Sequence, residues 1–88
     1  MQTSTTHDSI RQALRKVETS VAHLAETGLE QEVLDLAQAE LAELKASAHR
    51  LLDQDEFVLI GLISDRSPAW RDYRTKLDQV RQFLQSLN

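Results

Sequence analysis

The chain has 88 residues, a net charge of −4, no cysteine, and only two glycines and one proline. That length allows one domain with a modest core, and the missing cysteines exclude disulfide staples and thiolate metal sites. An acidic chain is a poor partner for nucleic acid, where phosphate neutralisation dominates affinity, so no nucleic-acid partner is expected.

Alanine, leucine, glutamate and glutamine are plentiful, which favours long helices. The longest apolar run, Phe57 to Ile63, is too short to span a bilayer, so no membrane association is expected. The cysteine-free composition suits a cytoplasmic setting. Residues 1–7 are expected to form a short frayed tail. They lack the basic region and apolar core of a signal peptide.

A first helix is predicted over residues 8–27, with Thr6 or Asp8 capping its free amides. Its apolar residues are Ile10, Leu14, Val17, Val21 and Leu24, spaced alternately by four and three. This is a heptad seam of the coiled-coil kind. Gly28 fits the left-handed position just past the helix end.

A second helix is predicted over residues 29–52, about 35 Å long at 1.5 Å per residue. Its seam is Leu34, Ala37, Leu41, Leu44, Ala48 and Leu51, with Val33, Leu36 and Leu52 widening the stripe. Residues 53–66 form an acidic and apolar connector. Within it, Phe57 to Ile63 is apolar at every position except Gly61, so periodicity cannot separate a short buried helix from a strand. A lone strand would leave unpaired backbone groups, which favours a short helix or turn. A strand survives if a partner supplies the sheet edge.

A last helix is predicted over residues 68–88. Ser67 can cap it, and Pro68 takes the first position, where a missing amide hydrogen costs nothing. Its seam is Trp70, Tyr73, Leu77, Val80, Leu84 and Leu87, with Phe83 beside it. The expected fold is all-α: an antiparallel bundle of three longer helices with a short apolar segment before the last. Residues 29–52 carry two basic and five acidic side chains, residues 53–66 one and four, and residues 68–88 four and two. Opposite signs favour pairing of the last helix with the middle of the chain, although each exposed pair contributes only about 0–1 kcal/mol.

Residues for chemistry are sparse. His7, His23 and His49 lie off the seams and at no metal spacing, so they read as solvated surface groups. Asp53, Asp55 and Glu56 run straight into an apolar stretch, without the alternating ligands and central glycine of a calcium loop. They read as an acidic helix end. No nucleophile, phosphate loop or cofactor motif appears, so neither enzymatic activity nor a cofactor or metal is expected. Trp70, Tyr73 and Arg74 are of the types enriched at binding hot spots, although aromatic stripes at helical spacing usually fill a core.

One stretch carries a family resemblance. Arg50-Leu51-Leu52, Asp55-Glu56-Phe57-Val58-Leu59-Ile60, and Pro68-Ala69-Trp70-Arg71-Asp72-Tyr73-Arg74 with Leu77 resemble the C-terminal segment of small tailed-phage tail fibre assembly proteins, or tail assembly chaperones. Glu56-Phe57 stands where that family usually has Asp-Trp, and the first two helices have no counterpart in it. The resemblance implies a non-enzymatic chaperone or adaptor for a tail fibre subunit in the host cytoplasm, possible retention in the virion included. The expected partner-binding residues are Phe57, Ile60, Trp70, Tyr73 and Arg74. Two other readings stay open: a structural protein that homo-oligomerises through its seams, and a small protein-binding regulator.

Overall fold

The computed structural model describes residues 5–87. It contains four helices and, among the described residues, no strand: α1 (Thr6–Glu26), α2 (Gln31–Leu52), α3 (Glu56–Ser64) and α4 (Pro68–Ser86). The all-α expectation holds, and the short apolar segment is itself a helix, so the count is four rather than three.

Three of the four helix starts have a side-chain cap; α2 begins after Glu30 without one. Thr5 caps α1, ahead of both Thr6 and Asp8. Its hydroxyl accepts from the Asp8 amide at 3.0 Å, and the Asp8 carboxylate takes the Thr5 amide in return. This reciprocal box needs a hydroxyl residue and an acid three positions on, so the helix begins within the stretch expected to fray. Residues 5–7 are ordered by it; residues 1–4 of the expected tail lie outside the described residues. Asp55 caps α3 by accepting from the Val58 amide at 2.8 Å, and Ser67 caps α4 with Pro68 in its first turn. The final residue of the expected last helix, 88, also lies outside the described residues.

The ends of α1 and α3 are closed by left-handed residues. Gly28 follows α1 with φ +78°, as the sequence predicts. After α3 the same position is filled by Arg66 at φ 52°. There the Ser67 amide bonds the Leu62 carbonyl at 3.0 Å, and the Arg66 amide bonds Ile63 at 3.1 Å. This paired closure usually takes glycine; an L-residue with a Cβ bears about 1–2 kcal/mol of strain there.

α1 and α2 form a hairpin, and α4 packs along the other side of α2. The start of α4 lies beside the start of α1, and its end beside the end of α1. Thus α1 and α4 run in one direction and α2 in the other. α3 packs against α1 and α4 near their starts. All five residues of the α1 seam are buried, together with Ala37, Leu44, Ala48, Leu51, Leu59, Tyr73, Leu77, Val80 and Leu84. Leu34, Leu41, Leu52, Trp70, Phe83 and Leu87 are half-buried against them.

Leu36 departs from expectation. It is 57 % exposed, because it lies one residue from the buried Ala37 and a helix turns about 100° per residue. That rotation carries it outside the stripe. The expected pairing of charges between α2 and α4 rests on one side chain, Lys76, which reaches Glu43 and lies 3.5 Å from Glu40. A second pair, Lys45 with Glu18 at 3.1 Å, joins α2 to α1.

Candidate functional site

α3 has two faces of unequal fate. Leu59 is fully buried, and Leu62 and Ile63 are half-buried beside it. The opposite face is apolar and open. Phe57 is 87 % exposed, Ile60 50 % and Val58 42 %. Gly61 lies between them, and a Cβ added there would meet nothing within 4 Å. The fold therefore places no steric demand for glycine at this position, although glycine weakens a helix interior by about 0.5–1 kcal/mol relative to alanine. A helix of nine residues that is apolar all round buries one side and leaves the other as a contact surface.

The five expected partner-binding residues divide into two groups. Phe57 and Ile60 share the open face of α3. Trp70, Tyr73 and Arg74 line a shallow concavity with Thr6, Ile10 and Ala13 of α1, to which α3 contributes no side chain. Tyr73 is 2 % exposed and belongs to the core, where burial pushes its phenol above its usual range. It therefore offers a partner almost no surface, in line with aromatic stripes that fill a core; the α4 seam turns its ring inward with Leu77 and Val80. Trp70 is half-buried with its ring 5.5 Å from that of Tyr73, and the Arg74 guanidinium stands 6.0 Å from the Trp70 ring, within cation–π range. No family model, curated protein or solved structure matches the chain.

The link that fixes α3 in place has no signal along the chain. Glu56, at the start of α3, accepts the Thr6 amide at 2.6 Å and the His7 amide at 3.3 Å. It thus satisfies two free donors at the start of α1, where a negative charge is also favoured by the helix dipole. The His7 ring lies with Nδ1 at 2.5 Å from Glu56 Oε2 and Nε2 at 2.5 Å from the Gln54 carbonyl. His7 is therefore not the solvated tail residue expected, because the capping box carries the helix back to it and its ring closes onto the α2–α3 turn. His23 and His49 are exposed. Among the described residues no group of three potential ligands forms a metal cluster, and no helix is long and apolar enough to cross a membrane.

Both His7 ring nitrogens face acceptor oxygens, so only the imidazolium satisfies both. Bonding to the Gln54 carbonyl, then to Glu56, raises the His7 pKa above 6.5, against partial desolvation and, more weakly, the charge of Arg11. Bonding from Thr6, then His7, lowers that of Glu56 to about 2. A raised histidine contributes stability that is complete below 6.5 and lost as pH rises through the folded value. A depressed carboxylate contributes stability present above 4.5 and lost as pH falls towards about 2. Thermal melts across pH should therefore peak between 4.5 and 6.5. His7→Gln should flatten the decline on the alkaline side and leave the acid limb in place. Parallel alkaline limbs in the two proteins would assign that decline to another group.

Proposed function

We propose that this chain is a non-enzymatic assembly chaperone or adaptor that binds a phage tail fibre protein through the open apolar face of α3, in the host cytoplasm. The observation that carries the reading is the exposure of Phe57, Val58 and Ile60 together on one short capped helix. Fibre subunits expose apolar surface before they assemble, and a small helical protein with an apolar face can cover it. The resemblance around Asp55 to Leu77 supports the fibre as partner. Phe57 and Ile60 form the centre of the contact, and Trp70 and Arg74 serve a separate surface on α4.

The test is co-purification with a candidate tail fibre subunit, with melts of each variant alone. Phe57→Ala should weaken binding by about 1–2 kcal/mol, the range of an interface anchor. The melt of the free chain should scarcely move, since Phe57 touches so little of its own fold. Normal binding by Phe57→Ala would end this reading. A second reading, homo-oligomerisation, is favoured by the same exposed face, because nothing on it selects a foreign partner by charge. Light scattering separates the two: a stable oligomer that Phe57→Ala dissolves supports self-association.

A further inference from the structure

α1 and α4 both lean on α2 and meet each other sparsely. The seam between them, opposite α2, is grooved at its surface over a buried floor. A groove of about 330 Å³ lies between their C-terminal halves, floored by Val17, Leu24 and Leu84. A shallower one of about 200 Å³ lies between their N-terminal halves, and Arg81 lines both. α3 has nine residues against 21 in α1 and 19 in α4, so it reaches only the beginning of this seam.

The rim inverts the charge of the molecule. Lys16, Arg74 and Arg81 line the two grooves, and no acidic residue does, in a chain whose net charge is −4. None of these three cations takes part in an ion pair among the described residues. Ala13 and Ser20 on the α1 wall are small enough to let a backbone come close. The seam from Ile10 to Leu24 is about 21 Å long at 1.5 Å per residue.

We propose that the α1–α4 seam is a docking groove for an acidic amphipathic helix of about four turns, supplied by a protein partner. Its carboxylates meet Lys16, Arg74 and Arg81, and its apolar stripe rests on the groove walls at Ala13 and Ser20. This inference uses neither the open face of α3 nor the identity of the partner proposed above. Nucleic acid fits less well, since the acidic α2 and the apolar floor oppose a phosphate backbone.

The test uses the full chain and the emission of Trp70, its only tryptophan, which lines the groove. The probe is a synthetic helix with leucine at heptad seam positions and glutamate elsewhere. Controls are the same peptide with lysine for glutamate, and a single-stranded oligonucleotide. The Leu/Glu helix should bind with a change in Trp70 emission, and less tightly as salt is raised. Lys16→Glu and Arg81→Glu should each weaken it at least about tenfold, with unchanged melts because both side chains are exposed and unpaired. Phe57→Ala should bind the probe normally, which separates this groove from the α3 face. Equal binding of the lysine peptide, preferred binding of the oligonucleotide, or normal binding by both charge variants would overturn the proposal. So would a self-associated chain that Arg81→Glu converts to monomer, since a second copy would then fill the groove.

Discussion

Leu44→Ala should remove a large share of the stability of the free chain, about 2–5 kcal/mol. A chain of this size has a total of about 4–13 kcal/mol at about 0.05–0.15 kcal/mol per residue. Leu44 is 0 % exposed and sits in the middle of α2, the helix with the most extensive packing against both α1 and α4. Two ion pairs flank it, Lys45 with Glu18 towards α1 and Lys76 with Glu43 towards α4. A cavity at Leu44 is therefore hard to close, because α2 cannot move towards one neighbour without leaving the other. The cost should fall towards the upper part of the range, as it does where a site cannot collapse. Leu41, on the same seam but half-buried, supplies the control and should cost distinctly less as alanine. The measurement is a thermal melt of both variants. A drop of less than about 8 °C for Leu44→Ala, or one no larger than for Leu41→Ala, would remove Leu44 from the centre of the core.

The three long helices were legible because their signal is local. Spacings of three and four repeat along α1, and every member of that seam is buried. Ser67-Pro68 marks the start of α4 within one turn, and Gly28 marks the end of α1. The start of α1 was also written locally, in Thr5 and Asp8, but adjacent threonines hide which one caps. Leu36 was misplaced because a leucine one position off a seam looks the same in sequence as one that widens it. The α3 run defeated periodicity, since Phe57 and Leu59 are alike in hydropathy yet opposite in exposure. The contact that orients α3, between Glu56 and the start of α1, joins residues about 50 positions apart. No pattern along the chain could announce it. The basic rim of the α1–α4 seam was equally hidden, because Lys16 and Arg81 become neighbours only when α1 and α4 align.

Leu59→Ala should detach α3 from the bundle and remove the proposed contact surface with it. Leu59 is the only fully buried side chain of α3; Leu62 and Ile63 are half-buried, and the remaining attachment is polar, through Glu56 to Thr6 and His7. A helix of nine residues is not stable alone, since isolated helices below about 12–15 residues are marginal in water. Its order depends on packing, and Leu59 supplies most of that packing. The cost of the truncation is about 2–5 kcal/mol, but it can fall on α3 locally while α1, α2 and α4 stay packed. Amide hydrogen exchange distinguishes these outcomes. Protection of the α3 amides from Leu59 to Ser64 should collapse towards that of a fraying segment, while protection around Leu44 and Val80 declines less. Partner binding should fall as it does for Phe57→Ala, but for a different reason: the open face is intact in composition and lost in shape. The pair of variants thus separates contact from support, with Phe57→Ala leaving the fold unchanged and Leu59→Ala loosening α3 under an unaltered Phe57. Full α3 protection in Leu59→Ala would mean that the Glu56 clasp and the caps hold the helix by themselves.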